Sequence, residues 1–600
     1  MKAKRMTAAV LALLIAAALF AGCNGPGETI TPTPTAAQST QAPSTQVPSA
    51  TEAPAETEAP QATAEPVDEG PYHFAKGYAT DADGWPLEKY VYEQPLCDTD
   101  DVLTKWTTCY NPQYLPEGGF NAIQTWQMVE EFTGVHIEYN VVDSANRQQN
   151  FSVLLASDDL DDILDGGASF YPGTLDDAVE DGFFADLYDK RDLMPNYMWE
   201  IHNRSIRNPD CLNSLFYKKT HLIALYGLVI DPVPSMGAAL RQDWLDKLGM
   251  GSAADVTTFD KLHEVLVAMK VNFSNNQYNQ SEIYPYFIWA NGEATPGYNF
   301  CGFNTVLYMT RLSYLRVENS EVQVCGTTDD DLALMTMLNQ WYNEGLISPN
   351  FQSYTIGGSF DAGYSSDKVG CTPVAPASVT FIEGSSADPD THYAPAPRTR
   401  LYDGQILEYG NKRTETHYGS CTLNAKCDKL DLAVAWCDWW MSDFGGDFTS
   451  WGPEGLCWHF KEDGSRELED WVLNHEASAM SIMQIYCNDN LVMFCLHDIR
   501  RSYYYPGGER SLQFYDVWTI PDYGGHYDWP SGIVLSAEES DEVNTIKGDL
   551  ETFFTETYVC FLNGEKPLGE WDSYLQDMKT FGLDRMTEIY QNAYDSFMAA

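Results

Sequence analysis

Five aromatic residues of this chain, Tyr171, Tyr286, Trp289, Trp451 and Trp458, stand beside chain-breaking Gly or Pro residues with carboxylate or amide groups close by. A flat ring face flanked by such groups suits a polyhydroxylated ring. The apolar C–H face stacks on the aromatic, and the hydroxyls bond to the polar rim. Tyr171 follows Asp165-Gly166-Gly167-Ala168-Ser169-Phe170, and Trp289 and Tyr286 lie within two to five residues of Asn291. Trp451, Glu454 and Trp458 frame a Gly-Pro-Glu-Gly turn. Arg241 and Asp243 offer a guanidinium and a carboxylate either to ligand hydroxyls or to each other as a structural ion pair. Each ring has a competing reading as core, and Tyr171 one as a loop aromatic packed on its own lobe.

Catalytic chemistry has weaker support. With 87 Asp and Glu residues, carboxylate pairs such as Glu454, Glu293 and Asp165 are easy to nominate. A retaining glycosidase holds two carboxyls about 5–5.5 Å apart, a spacing no sequence displays. No GxSxG elbow, HExxH pair or Walker loop is present, so no catalytic residue is assigned. Metal chemistry is no better supported. The cysteines form no CxxC pair, and Asp81-Ala82-Asp83-Gly84 begins like a calcium loop but lacks the later ligands. No metal or cofactor is expected.

The acidic surplus narrows the partners. Against 35 Lys and Arg, the 87 acids give a formal charge of -52, which repels phosphate backbones and anionic headgroups. Nucleic acid is therefore excluded, and a membrane is reached only through an anchor. Lys2, Lys4 and Arg5 precede an apolar run from Ala8 to Ala21 that suits a secretory signal over 1–22. The run ends in Leu19-Phe20-Ala21-Gly22-Cys23, which resembles the lipobox of bacterial lipoproteins and implies a lipid on Cys23. Residues 23–70 are Pro-, Thr-, Ala- and Glu-rich and read as a disordered tether. Its reach runs from a coil of roughly 40 Å to on the order of 140 Å extended. Thirteen cysteines remain after Cys23, so at least one is unpaired within the chain.

Elements that position these groups begin near Asp98. Leu103 to Tyr110 reads as a strand, with Trp106 core-facing and Tyr110-Asn111 at its end. Asn121 to Phe132 reads as a helix carrying Ile123, Trp126, Val129 and Phe132 on one side, with Gly134 just beyond. His136 to Val142 is a strand, Arg147 to Ala156 a helix and Asp162-Ile163-Leu164 a short strand. This βαβαβ order predicts a parallel sheet with helices on both faces. Its ligands bind at the carboxyl ends of the strands, here Tyr110-Asn111 and Asp165-Gly166-Gly167. Farther on, Thr257 or Thr258 caps a helix whose apolar face is Phe259, Leu262, Val265, Leu266 and Met269. Of Trp439 and Trp440, at most one is expected to face the core.

Five segments in order carry a resemblance: "TWQMVEEFTGVHIEY" with "LLASDDLDDILDGG", "LDDAVEDGFFADL", "LRQDWLDKLGMGSAADVTTFDKLHEVLVAMK", "LNQWYNEGLISPNF", and the closing "WGPEGLCWHFKEDG" to "FLNGEKPLGEWDSYLQDMKTFGLDRMTEIYQNAYD". Together they are similar to extracellular solute-binding proteins of the family-1, carbohydrate-type class that serve ABC importers. The resemblance covers about Lys105 to Ala600.

The resemblance implies an α/β fold of two periplasmic-binding-protein-like lobes, with a hinge and a central ligand cleft. Lobe 1 is expected over about 98–235 and 418–450, and lobe 2 over about 236–417 and much of 451–600. Crossovers are expected near Ile230–Met236 and Tyr418–Leu423. Tyr286 and Trp289 fall where maltose-type members stack sugar. The implied role is capture of an oligosaccharide, or another small polar solute, by a monomer on the extracellular face of a bacterial cell membrane. Delivery is to ABC permease transmembrane subunits. Alternatives are a surface-anchored glycan-processing enzyme and a non-transport adhesion or sensory lipoprotein.

Overall fold

Thr- and aromatic-rich Val102–Thr108 forms β1, and His136–Val142 (β2) and Ile163–Asp165 (β3) pair with it on either side, both parallel. These coordinates are a computed structural model describing residues 70–599, except 110, 144–145, 230–233, 235, 289–295, 307–308, 310–311, 313, 354–362, 411–415, 477–478, 488–495, 498–507 and 531. The signal, Cys23, the tether, Tyr110, Trp289, Asn291 and Glu293 lie outside the described residues. The helix between β1 and β2 starts later than its pattern suggests, at Gln124, because Ile123 is extended. It ends on Gly134 at φ 69°, a left-handed conformation that glycine adopts without penalty. Trp126 and Val129 are buried on its inner side.

The completed sheet is mixed rather than parallel. Ala224–Val229 (β4) and Thr416–Leu423 (β10) join it antiparallel to each other, and β10 is also antiparallel to β3. Leu496–His497 (β13) adds to β4 in parallel, giving the order β13-β4-β10-β3-β1-β2. Every strand but β10 runs the same way. A second sheet has Gly237–Arg241 (β5) between Cys371–Val374 (β8) and Tyr393–Pro395 (β9), antiparallel to both. Leu315–Glu318 with Glu321–Val324 (β6, β7) and Trp458–Phe460 with Arg466–Leu468 (β11, β12) are separate hairpins.

The chain passes between the sheets three times: from β4 to β5, from β9 to β10, and from β13 to the Gly508–Trp518 helix, which packs beside β5. The crossover expected near Ile230–Met236 falls mostly on residues outside the described ones, and the one expected near Tyr418–Leu423 lies within β10 itself. The third went unseen because β13 is only two residues long. As β4 and β13 end where β10 begins, all three connections leave the first sheet along one edge, the carboxyl edge of β1 and β3.

Two large hydrophobic cores correspond to the sheets. One gathers residues from Leu96 to Leu228 and from Cys421 to Cys487; the other gathers Ala238 to Ala396 and Val543 to Ile589. The 451–487 stretch thus packs with the first core, not the second. Trp451 and Trp458 draw it there, both buried in the same core as the Leu430–Trp439 helix. Trp439 and Trp440 are both buried, because that helix is enclosed on all sides. Residues 70–97, expected outside the lobe, are also fixed to it: Tyr72 bridges Cys97, Trp85 stacks on His202, and Tyr92 donates to Asp438 at 2.7 Å.

Twelve cysteines are described, all as free thiols and eleven of them buried. Burial pushes Cys301 and Cys325 up to about 11 and Cys371 up to about 12. Cys421 and Cys437, the pair within sulfur hydrogen-bonding range, stand 4.0 Å apart. No helix among the described residues is long and apolar enough to cross a membrane.

Candidate functional site

In an α/β sheet of this kind ligands sit beyond the carboxyl ends of the strands, and here that is the edge from which the three connections leave. On the first lobe this edge carries Asn111, Arg147, Gly166-Gly167 and the turn leading to Tyr171. Asn111 Nδ2 donates to Gln484 Oε1 at 2.9 Å, which ties the end of β1 to the Ala479–Tyr486 helix. Gly166, at φ +71°, receives a backbone bond path from β10, its N–H donating to Ser420 O at 2.7 Å. On the second lobe the matching edge is Gly237, Val374 and Pro395. There Arg398 donates to Asn299 Oδ1 at 3.0 Å and to Met236 O at 2.6 Å.

Several expected ligand residues are committed elsewhere. Asp165 turns its carboxylate into the sheet, where Lys105 Nζ and Thr107 Oγ1 occupy its two oxygens, and both charged groups are 1% exposed. That leaves it unsuited to a ligand or to nucleophilic attack. Arg241 and Asp243 lie at the far end of β5, away from the connections. There Arg241 is clasped by Asp243 (2.7 Å) and Asp367 (2.5 Å), so the ion-pair alternative is the one adopted. Hydrogen bonds and attraction from Asp243 outweigh the cost of burial and hold the guanidinium firmly protonated.

Tyr286 is 4% exposed and meets Trp341 at 5.2 Å between ring centres, which makes it core rather than platform. Trp451 and Trp458 are buried against each other, with the Arg466 guanidinium over both rings at 4.9 and 4.4 Å. Trp458 Nε1 is spent on Gly452 O at 2.9 Å. Glu454 is exposed on the intervening turn. Tyr171 remains half-buried at the edge, but its hydroxyl donates to Asp181 at 2.7 Å and its ring leans on Phe184. Burial and that bond raise its phenol above the usual range.

Arg147 was read only as the first residue of a helix. The Arg147–Ser157 helix instead places its guanidinium over the end of β3, Nη2 donating to Asp165 O at 2.7 Å. Trp106 and Phe170 flank it at 5.1 and 4.7 Å. Gln484, Asn299 and Arg398 were also missed. A lone Arg opening a helix in an acidic chain was the available signal. At the suggested calcium loop, Asp81 Oδ1 accepts the N–H groups of Asp83 and Trp85, both at 2.9 Å, and so shapes its own turn.

No protein-family model matches the chain, and no curated protein matches it. Solved structures do. An extracellular solute-binding protein from Bifidobacterium longum subsp. infantis is 17% identical with a TM-score of 0.65, covering 86% of this chain and 100% of its own. An HMO-binding, ABC-transporter-associated solute-binding protein from Bifidobacterium longum infantis is 17% identical with a TM-score of 0.64, covering 83% and 99%. An EF-hand mutant of the S. pneumoniae ABC-transporter substrate-binding protein FusA, in complex with fructo-nystose, is 19% identical with a TM-score of 0.56, covering 83% and 100%. These likenesses establish the fold: two α/β lobes of the solute-binding-protein type around a central cleft.

Proposed function

We propose that this protein captures a carbohydrate, of oligosaccharide size, outside the cell and delivers it to an ABC importer. The observation that carries this reading is the junction of the two sheets: three connections leave one edge, and that edge carries amide and guanidinium groups. The fold is that of proteins whose names give HMO binding, a complex with fructo-nystose, and association with ABC transporters. Binding operates by population shift. Contacts to both lobes exist only when the lobes close, so ligand favours the closed form, and that form is what a permease distinguishes. The protein acts as a monomer held at the extracellular membrane face by lipid on Cys23, with no catalytic step. The expected small polar solutes are those with several hydroxyls.

The test is a thermal-shift screen of the full chain against neutral and acidic glycans. A ligand at 100 times its dissociation constant stabilises the fold by about 2.7 kcal/mol. Recovery of the bound glycan intact separates capture from processing. Silence across a broad array, or cleavage of the bound glycan, overturns the reading.

A further inference from the structure

We infer that Arg147 is a ligand-binding residue of the cleft and that the saccharide it takes carries a carboxylate. The inference rests on the carbohydrate-capture reading and narrows its substrate class. A chain with 87 acids and 35 bases has carboxylates to spare. The buried guanidiniums of Arg204, Arg241 and Arg316 each have one, from Glu200, from Asp243 and Asp367, and from Asp330. Arg147 is 9% exposed and has no carboxylate within ion-pair distance among the described residues. Of its five N–H donors, one is spent, on the neutral carbonyl of Asp165, and Nε is buried with no partner.

A buried cation without a counterion is costly, and a buried donor without an acceptor adds to the cost. The two flanking rings recover a part through their negative faces. They also keep the guanidinium plane fixed, which suits a planar, bidentate acceptor. The position fits a ligand's approach. Arg147 lies at the carboxyl edge of β3, and the residue against it is Gly166, where an added Cβ would sit 3.4 Å from Nη2. Asp165, the nearest acid in sequence to this edge, is consumed by Lys105 and Thr107 and does not neutralise the site. A sugar carboxylate supplies both the missing charge and the missing acceptors.

The overall negative charge opposes such a ligand at long range, but salt confines that field to about 8 Å at physiological ionic strength. Association of an acidic glycan should therefore quicken as salt is raised, the reverse of a steered encounter.

The experiment uses the full chain and an array of oligosaccharide pairs, each a uronate-bearing glycan and its carboxyl-reduced counterpart, in a direct binding assay. The acid member of at least one pair should bind about tenfold or more tightly than its reduced partner. Arg147→Gln should weaken the acid member by about 10- to 100-fold and the reduced member by less than about threefold. Arg147→Lys should retain part of the preference, keeping the charge but losing the fork. If Arg147→Gln does not fold, the parent's preference between pair members decides alone. Equal binding of both members, preference for the reduced one, or an equal loss for both on substitution overturns the inference. Binding of neutral glycans with no acidic ligand overturns this inference and leaves carbohydrate capture standing; silence toward every glycan removes both.

Discussion

Lys105 on β1 and Asp165 on β3 form an ion pair at the centre of the first sheet, each side chain 1% exposed. Thr107 Oγ1 takes the second carboxylate oxygen at 2.7 Å. A charge pair so enclosed is costly to halve, because the surviving partner stays buried and unpaired.

Asp165→Ala should therefore lower unfolding stability by about 3–5 kcal/mol. Asp165→Ala together with Lys105→Met should recover much of that loss. Urea denaturation of the parent and the two variants checks this. A single variant as stable as the parent but weakened in glycan binding would return Asp165 to the ligand site.

Asp438 gives the fold a pH dependence. Burial is the dominant influence and pushes its carboxyl up to about 7, against three donors, Tyr197 N–H, Tyr92 O–H and Asn196 Nδ2, that favour the charged form. The folded value lies above that of an unfolded Asp, about 3.9, so the folded chain holds the proton over that interval. Stability from this group is complete below about pH 4, is lost as pH rises toward 7, and is flat beyond. Asp438→Asn should remove that decline. Parallel stability profiles of parent and variant between pH 4.5 and about 8 would show that Asp438 ionises normally.

Tyr286→Ala and Trp289→Ala should behave oppositely. Tyr286 packs on Trp341 in the second core, so its truncation should cost about 3–5 kcal/mol of stability. Trp289, outside the described residues, is proposed as a sugar platform, and its loss should weaken glycan affinity by about 5- to 150-fold while melting stays near the parent's. Calorimetry paired with a binding titration separates the two. Should Trp289→Ala melt early and bind normally, it belongs to the core.

Cys23→Ser should release the chain from the membrane fraction, since the lipid-bearing thiol is the proposed anchor. Fractionation of cells expressing each form measures this. Retention of the variant at the parent's level would count against lipidation.

Local signals were read well where one element contains its own explanation. Phe259, Leu262, Val265, Leu266 and Met269 are all buried on the helix that Thr258 caps. Features made by distant segments were not legible. Lys105 and Asp165 are 60 residues apart, and the rings around Arg147 come from β1 and from the turn after β3. Nothing in a local window reports such meetings. Tyr286, Trp451 and Trp458 misled for a related reason: aromatics beside Gly and Pro look exposed, whereas here the turns fold them inward.

The strand order also sets a timetable for folding as the chain is made from its N-terminus. Among the described strands, β10 links the β2-β1-β3 half of the first sheet to β4. It follows β4 by nearly 190 residues of intervening second-lobe sequence. Until residue 423 has crossed, β3 and β4 each present an open edge, and edges of that kind invite pairing with other chains. Even then β13 is still to come, and β4 keeps one bare side until residue 497 arrives. Synthesis of this chain thus carries a window of vulnerability that closes only near its C-terminal fifth.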